Sequence, residues 1–476
     1  MYDNYRLEPR RDTFFRGYRD SSCTQMARET WATRAGFILA AVGSAVGLGN
    51  IWRFPFITAQ EGGGAFLLVY LLFVALVGFP AILVEFVIGR YTNLNPVGAI
   101  RELGSGAWNY LGWLFVGIGF VILSYYSVVA GWFLRYTLIG VVDGYALAGP
   151  EEAGALFGTV STGLDSLLFH AVFMALVIAI IAAGVRKGIE VGVKVMVPAI
   201  IALLLGLAAY AFTLDASGAA YSYYLSPDFG YLVANWTSIL PAAAGQAFFT
   251  LSLGMGVMIT YASYLGEDRN LASDAGVIVA LDTFIAVIVG FVVFPFLFAA
   301  GIDPGTTGAP AIFVSLTSAF SGIPGGRLIG IVFFAMVGIA ALSSAISILE
   351  VLVSYLIDEF DVGRVPAATA IGIAVFLLGV PVTIDLIFLD LYDGLASGVL
   401  LLVGSLLLVL FVGWLIPDVA REELRKGITS LGGLDDAWIW AVRVPVVIAI
   451  VVSLYLGIVD YADFLTGDFA DWLAAR

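Results

Sequence analysis

Two short glycine-rich stretches of the sequence could leave backbone carbonyl and N–H groups without hydrogen-bond partners. Residues 43–50 read GSAVGLGN and residues 250–256 read TLSLGMG, each inside a long apolar run. Glycine weakens a helix by about 1 kcal/mol per site, and an interrupted helix in lipid leaves backbone groups without partners. Bare carbonyls suit a dehydrated alkali cation, and bare amides at a half-helix N-terminus suit a carboxylate. One zwitterion with a sodium ion beside it would satisfy both sets, although close packing of helices through small residues is the alternative.

Four polar side chains in other apolar runs extend this chemistry. A carboxylate in lipid costs roughly 3 kcal/mol or more, so Asp282 should face a cavity or a cation, or else bond a neighbouring helix. We expect Glu85 to accept hydrogen bonds from the opened backbone of the first glycine-rich stretch. Ser343 and Ser344 could bind a cation, or could simply bond back to carbonyls four residues earlier.

Composition places the chain in a membrane. It is 61% hydrophobic and only 12% charged, against roughly 25% charged residues in soluble proteins. Cys23 and His170 are the only residues of their types, which rules out an intrachain disulfide and a His/Cys zinc cluster. The 22 Lys+Arg and 36 Asp+Glu give a net charge of −14, which argues against a nucleic-acid partner. An acidic, lysine-poor chain predicts a halophilic archaeal source.

The elements that position these residues are predicted helices of about 20 apolar residues each. Eleven spans are expected, near 34–58, 64–89, 111–139, 166–184, 190–213, 237–262, 274–299, 328–357, 367–387, 394–416 and 438–460. Arginine and lysine concentrate in residues 1–30 and in the even-numbered loops, with Arg327 as the main exception. The protein is therefore predicted to cross the plasma membrane many times, with a cytoplasmic N-terminus and an extracellular C-terminus.

The two glycine-rich breaks fall in spans one and six, which are equivalent positions if spans 1–5 and 6–10 are two halves. Paired broken helices in matching positions indicate a binding site at mid-membrane. We predict an all-α fold with two inverted five-helix repeats. Its parts are a cytoplasmic segment 1–30, a first repeat 31–213, a second repeat 214–416, and an eleventh helix with an extracellular tail, 417–476.

Several segments resemble the neurotransmitter:sodium symporter family, in particular its bacterial and archaeal amino-acid branch. They are WATR at 31–34, GSAVGLGNIWRFP at 43–55, EGGG at 61–64, EFVIGRY at 85–91, KGIE at 187–190 and GQAFFTLSLG at 245–254. The resemblance covers roughly residues 28–460. It implies sodium-coupled transport of a small amino acid, without an organic cofactor.

The resemblance implies two sodium sites, and all-oxygen shells suit such a hard cation. The first would use the carbonyl of Ala45, the Asn50 amide, Thr250, Asp282 and the substrate carboxylate. The second would use the carbonyls of Gly43, Val46 and Ala340 with the hydroxyls of Ser343 and Ser344. Asp282 stands where many members have asparagine, and Ala286 stands where chloride-dependent members have serine. We therefore expect Asp282 to supply the negative charge that chloride provides elsewhere.

The implied substrate pocket is apolar and offers no charge for a side chain, which favours a neutral, hydrophobic amino acid. The Tyr126 hydroxyl and the amides of Leu48 and Gly49 would bind the carboxylate. Amine transporters of the family carry aspartate at the position of Gly47, and glycine leaves room for a carboxylate. The full set is Ser44, Ala45, Gly47, Leu48, Gly49, Ile122, Tyr126, Phe249, Thr250, Ser252, Met255, Ser344 and Ile348. Taken singly, each apolar member could be ordinary packing.

The resemblance also implies gates on both sides of the pocket. Their residues are Arg53 with Asp393 on the outer side, under which Tyr126 and Phe249 form a lid, and Arg28 with Asp358, Trp31 and Tyr264 on the cytoplasmic side. A single exposed ion pair is worth about 0–1 kcal/mol, which is weak enough to open in each cycle. Gly188 and Pro198 could let span five unwind and open a water path to the second sodium site.

Symport by alternating access is therefore the predicted function, with an amino acid and lipid as partners and with a homodimer left open. Two other classes remain open. An amino-acid sensor or channel could keep the fold without coupled transport. An intramembrane enzyme would need catalytic groups, and the sequence has no HExxH motif and no evident Ser/His arrangement.

Overall fold

The computed structural model describes residues 31, 33–145, 149–302, 304, 311–427 and 432–476. Over these ranges the regular structure is helical and no strand is present. The predicted all-α membrane fold is therefore confirmed. The segment 1–30, and with it the predicted gate residue Arg28, lies outside the described residues.

The helices follow the predicted spans in order. They are Arg34–Ala45, Gly49–Arg53 and Phe54–Gln60 in span one; Gly64–Phe73, Val74–Gly78 and Phe79–Thr92 in span two; Leu111–Val142 in span three; Gly163–Ala182 in span four; Val185–Glu190 and Val191–Phe212 in span five; Trp236–Thr250 and Val257–Ala262 in span six; Leu271–Ala299 in span seven; Gly326–Phe360 in span eight; Arg364–Ile384 in span nine; Ile387–Asp393, Gly394–Leu400, Leu401–Leu410 and Phe411–Leu415 in span ten; Leu434–Arg443 and Pro445–Thr466 in span eleven. The connections carry Pro96–Leu103, Gly106–Tyr110, Pro150–Ser161, Ser217–Leu225, Phe229–Ala234, Ala311–Gly322, Pro417–Arg425 and Asp468–Ala474.

The number of membrane crossings depends on how broken helices are counted. Within the described ranges, nine helices are long and apolar enough to cross a bilayer, and the bent pair Arg34–Ala45 and Gly49–Gln60 makes a tenth. Span six consists of two short helices separated by residues 251–256. The total of eleven therefore stays a prediction, whereas the multi-pass character of the chain does not depend on it.

Spans three and eight form the centre of the molecule. In their most apolar windows, 72% and 67% of the residues are buried inside the protein, against 28% in spans five and eleven. An apolar helix with few buried residues must turn its remaining side chains to lipid. The two central spans therefore flank the broken helices, while spans five and eleven lie at the periphery.

Local sequence signals set several helix ends. Thr33 begins span one by accepting a hydrogen bond from the Gly36 N–H at 3.0 Å, the usual role of an N-cap hydroxyl. Asn93 ends span two in the left-handed conformation, with φ 53°. Span ten starts at Ile387 rather than at the predicted residue 394. Just before this start, the Asp385 carboxylate accepts a hydrogen bond from the Ile387 N–H at 3.1 Å, which satisfies one of the N–H groups that the first turn of a helix leaves without a partner.

Arg327, the exception to the cation pattern, has a structural partner. Its guanidinium donates to the carbonyls of Gly140 and Val141 at 2.8 and 2.6 Å. These carbonyls belong to the last turn of Leu111–Val142, where a helix leaves acceptors unsatisfied and carries partial negative charge. The position of Arg327 is therefore explained by capping span three.

Candidate functional site

The first helix break lies where the glycine pattern predicted it. Arg34–Ala45 ends before residues 46–48, and the helices on either side meet at an angle of 45°. Gly47 has no room for a side chain, because a Cβ there would lie 2.1 Å from the Ser344 Oγ and 2.5 Å from the Tyr126 Oη. The backbone of span one is thus open at its contact with spans three and eight.

The second break is held open by glycine geometry and by one carboxylate. Between Thr250 and Val257, the residues Ser252, Gly254 and Gly256 have φ of 54°, 79° and 74°. Residues other than glycine rarely adopt this left-handed region. The buried Glu85 accepts hydrogen bonds from the N–H groups of this opened segment and of the helix that follows it. The donors are Gly254 at 2.8 Å, Met258 at 3.1 Å and Ile259 at 3.2 Å.

The partner of Glu85 corrects the sequence-based expectation. We expected it to bond the opened backbone of span one, and the hydrogen bonds come from span six instead. The physical reason is donor availability: a left-handed stretch followed by a new helix start exposes several N–H groups together. Glu85 is therefore a structural carboxylate that satisfies a helix N-terminus.

A first cluster of oxygen atoms joins spans one, six and seven. The Asn50 Nδ2 donates to the Asp282 Oδ1 at 2.8 Å. The Thr250 hydroxyl lies 3.0 Å from the Asn50 Oδ1 and 3.0 Å from the Asp282 Oδ2. All three side chains are fully buried. The structure thus brings together the three side chains assigned to the first sodium site.

The charge of Asp282 distinguishes this cluster from Glu85. Asp282 has only neutral side chains as hydrogen-bond partners, and within the described ranges no lysine or arginine pairs with it. A buried carboxylate is costly unless a cation or several hydrogen bonds compensate it. Glu85 has three backbone donors of its own. A cation bound in the cluster around Asp282 would therefore compensate the negative charge of this carboxylate.

A second cluster joins spans one and eight on the other side of the break. Ser343 Oγ lies 2.8 Å from the Ala340 carbonyl and 3.5 Å from that of Val46. Ser344 Oγ lies 3.3 Å from the Gly43 carbonyl. The oxygens assigned to the second sodium site therefore form two contacting groups, Ser343 with the Ala340 and Val46 carbonyls and Ser344 with the Gly43 carbonyl. Only Ser343 bonds back within its own helix, three residues earlier, while Ser344 reaches across to span one.

The polar end of the predicted substrate pocket lies between these clusters. The Leu48 N–H donates to the Tyr126 hydroxyl at 3.0 Å. Phe249 covers Gly49 so closely that a Cβ on Gly49 would lie 2.8 Å from its ring. The remaining predicted lining residues, Ile122, Met255 and Ile348, are buried. The amide of Leu48 and the Tyr126 hydroxyl, both assigned to the substrate carboxylate, are thus neighbours.

A serine cluster at this site includes one residue that the sequence analysis missed. Ser44 and Ser347 bring their hydroxyls to 2.6 Å, and the Ser44 Oγ also lies 3.4 Å from the Ser252 Oγ. Ser347 further donates to the Ser344 carbonyl at 2.6 Å. Its position three residues after Ser344, on the same helix face, was the available signal. Ser347 therefore joins Ser44 and Ser252, two members of the predicted substrate-binding set.

The side of the site that is predicted to face outward carries the predicted ion pair, together with partners that sequence reasoning missed. Arg53 Nε lies 3.6 Å from the Asp393 Oδ2. The Arg53 guanidinium also donates to Gln246 Oε1 at 2.9 Å and to Ser397 Oγ at 3.1 Å. The Tyr125 hydroxyl donates to Asp393 at 2.8 Å. Polar residues inside membrane spans were the signal for these additional partners.

A cavity of about 740 Å³ lies beyond this pair. Its lining is acidic and includes Glu61, Asp390, Asp460 and Asp463 beside Arg53. At its mouth, burial raises the pKa of Glu61, the hydrogen bond from Ser238 lowers it, and the nearby Asp460 raises it, with a net increase. The cavity thus leads from the surface to the Arg53–Asp393 pair.

The opposite side is closed by aromatic and ionic contacts. The Trp31 indole donates to the Tyr261 carbonyl at 2.9 Å, and its ring meets that of Tyr264 edge-on at 6.0 Å. The Tyr264 hydroxyl donates to Glu350 at 2.9 Å, and Glu350 pairs with Arg364 at 2.6 Å. Two predicted gate residues, Trp31 and Tyr264, are therefore in contact.

The ion pair predicted for this side has one described member. Asp358 accepts from the Asn95 backbone N–H at 3.3 Å and from its side-chain amide at 3.0 Å. Its predicted partner, Arg28, falls outside the described residues. The assignment of this pair as a gate stays a prediction.

Span five covers the second oxygen cluster. A Cβ on Gly43 would lie 3.0 Å from a Val197 methyl and 3.3 Å from one of Val193. The span begins with a widened turn, Val185–Glu190, and carries Pro198 inside the helix. Both features weaken regular helix hydrogen bonding. The cover over the cluster is therefore a helix whose regular hydrogen bonding is interrupted at two places.

The comparisons with known proteins agree with this geometry. The model of the sodium:neurotransmitter symporter family matches residues 28–146 and 161–473. A sodium-dependent transporter of Bacillus subtilis is 35% identical over 449 residues, covering 90% of this chain and 98% of its own. One from Methanocaldococcus jannaschii is 35% identical over 476 residues, covering 94% and 93%. The crystal structure of MhsT in complex with L-phenylalanine has a TM-score of 0.84 and 40% identity, covering 90% of this chain and all of MhsT.

Broken helices around buried oxygen clusters agree with a membrane transporter. The chain belongs to the sodium:neurotransmitter symporter family. It is a sodium-coupled membrane transporter and not an enzyme. Its only histidine, His170, is buried, with its Nε2 3.1 Å from the Phe376 carbonyl and its ring stacked on that of Phe376.

Proposed function

We propose that this transporter imports a neutral, hydrophobic amino acid together with sodium, and that it needs no chloride. The observation that carries the proposal is the fully buried Asp282, which has neutral partners only. A fixed carboxylate next to a sodium ion supplies the negative charge that would otherwise come from an anion. Ala286, one turn later, has no hydroxyl to hold chloride.

Two sodium sites are proposed from the donor sets. Asn50, Thr250 and Asp282 would hold the first ion with the Ala45 carbonyl. The second ion would lie among the carbonyls of span one and the hydroxyls of span eight. Neutral and anionic oxygens without sulfur or imidazole are the ligands that hard cations prefer, so the residues fit sodium. A sodium ion that touches the substrate carboxylate makes each ligand favour the binding of the other.

The amino-acid assignment is supported by the chemistry around the first break. Gly47 leaves the space between Tyr126 and Ser344 free of any side chain, and aspartate would not fit there. The Tyr126 hydroxyl and the Leu48 N–H would donate to a carboxylate, and the apolar lining suits a hydrophobic side chain. MhsT, which is 40% identical, is described in complex with L-phenylalanine. The side chain of that ligand is neutral and hydrophobic, as proposed here for the substrate.

Transport would proceed by alternating access. Opening of the Arg53–Asp393 pair would admit substrate from the outer cavity, and release would follow opening around Trp31 and Tyr264. Local unwinding of span five near Pro198 would let water reach the second sodium ion. The positive-inside pattern supports a cytoplasmic N-terminus for this cycle.

Uptake into proteoliposomes tests the proposal. Labelled leucine or phenylalanine should accumulate against its gradient when NaCl is outside and KCl inside, and the other neutral hydrophobic amino acids should compete best among all twenty. Replacement of chloride by gluconate should leave the rate unchanged. Loss of uptake in gluconate would refute chloride independence, and competition by charged amino acids would refute the substrate class. Binding without accumulation would instead favour a sensor.

A further inference from the structure

The helix Asp468–Ala474 lies against the segment that carries the outer ion-pair residue Asp393. The contact centres on Asp385, just before the helix Ile387–Asp393. Asp385 Oδ2 accepts from the Trp472 indole N–H at 2.8 Å and from the Arg476 guanidinium at 2.8 Å. Its other oxygen, Oδ1, accepts from the Ile387 N–H, the first N–H of the helix Ile387–Asp393, which we call the gate helix. One carboxylate therefore joins the two helices.

Ring contacts extend this junction along the gate helix. The Trp472 ring meets Phe388 edge-on at 5.4 Å. The Arg476 guanidinium lies 4.1 Å from the centroid of the Trp472 ring, within the range of a cation–π interaction. Near the other end of the gate helix, the Tyr461 hydroxyl donates to the Leu391 carbonyl at 3.2 Å. The helix is thus contacted in its first turn, at Phe388, and closer to Asp393, at Leu391.

The charge balance favours this arrangement. Burial acts to raise the pKa of the Asp385 carboxyl, but the hydrogen bonds from Ile387, Trp472 and Arg476 outweigh it and lower the pKa. The Arg476 side chain is 55% exposed, so its ion pair alone would be weak. The Trp472 indole N–H and the Ile387 N–H also donate to the Asp385 carboxylate. The junction therefore does not depend on the exposed ion pair alone.

We propose that Asp385, through Trp472 and Arg476, positions the gate helix so that Asp393 faces Arg53, and thereby favours the closed outer gate. We call this contact, formed by Asp385, Trp472 and Arg476, the outer clasp. The inference rests on the proposed role of the Arg53–Asp393 pair as the outer gate. Loosening the clasp frees the gate helix to move away from span one, which shifts the transporter toward its outward-open state.

Distance measurements across the outer cavity test the clasp. Cys23 is the only cysteine, so a C23S background accepts spin labels at T237C and D390C, two cavity-lining positions on Trp236–Thr250 and on Ile387–Asp393. The labelled protein is reconstituted in nanodiscs, and pulsed electron spin resonance gives the distance distribution. In NaCl, W472F/R476Q should raise the ratio of long to short distances about three- to tenfold, the effect of losing two partly exposed hydrogen bonds. R476Q alone should cause a smaller change in the same direction.

A control substitution is available at Trp414 in span ten, the span that begins with the gate helix. Trp414 also lies under an arginine, with the Arg443 guanidinium 5.9 Å from its ring, so W414F removes an indole without touching the clasp. An unchanged ratio in W472F/R476Q relative to W414F, or a shift to shorter distances, would overturn the proposal. In the parent, sodium should lengthen the distance and added leucine should shorten it. If neither ligand moves the parent distance, the outer-gate role fails and the clasp with it.

Discussion

Replacement of Asp282 by asparagine removes the charge on which sodium binding is proposed to depend, while it keeps the size of the side chain. The carboxylate lies 2.8 Å from the Asn50 Nδ2 and 3.0 Å from the Thr250 hydroxyl, fully buried. At an effective dielectric constant of about 20, a carboxylate and a monovalent cation about 4 Å apart attract each other by about 4 kcal/mol. The amide dipole recovers part of this. We therefore expect a loss of roughly 2–3 kcal/mol, or a sodium affinity about 30- to 150-fold weaker.

The stability of the variant gives the assay. Sodium binding stabilises the folded protein in proportion to the logarithm of its concentration over the dissociation constant. The parent should therefore melt at a clearly higher temperature in NaCl than in KCl. D282N should lose most of this difference. In KCl it should be at least as stable as the parent, because an uncompensated buried charge is gone.

E85Q is the matched control, since it also neutralises a buried carboxylate. Glu85 serves three backbone N–H groups, and an amide offers only one oxygen. Each N–H left without a partner should cost about 1–3 kcal/mol in both salts, while the sodium response persists. A parental sodium response in D282N, or loss of that response in E85Q alone, would refute the reasoning.

Three further substitutions test other parts of the site. G47A should abolish amino-acid binding, because its Cβ would lie 2.1 Å from the Ser344 Oγ and 2.5 Å from the Tyr126 Oη; binding of labelled leucine at the parental affinity would contradict this. S343A should weaken the sodium dependence of uptake about tenfold, through the loss of one ligand, without changing amino-acid selectivity; a changed competition profile would count against it. P198A should slow the release of sodium to the cytoplasmic side, as measured by efflux from proteoliposomes, because a regular helix resists unwinding; unchanged efflux would contradict the proposed role of span five.

Composition and glycine placement were enough to predict the membrane fold and both helix breaks. Apolar runs of helical length are forced into spans by the cost of unsatisfied backbone in lipid. Gly47 and Gly254 mark the breaks because the backbone there either meets other side chains or adopts a positive φ. Features of this kind are local, so a single sequence contains them.

The relative placement of the helices could not be predicted in the same way. Glu85 bonds span six rather than span one, and Ser347 meets Ser44 across two helices. The contact of Asp385 with Trp472 joins residues 87 positions apart. Such contacts depend on the rotation and height of one helix against another, which no local pattern in one chain specifies.

Reciprocal equilibrium binding is the most direct test of the central idea that an amino acid and sodium complete the two open backbones together. The affinity of purified protein for labelled leucine is measured over a range of sodium concentrations, and its sodium affinity over a range of leucine concentrations. We expect each ligand to strengthen the binding of the other by the same factor, as linkage requires. A leucine affinity that is the same in NaCl and KCl would contradict it.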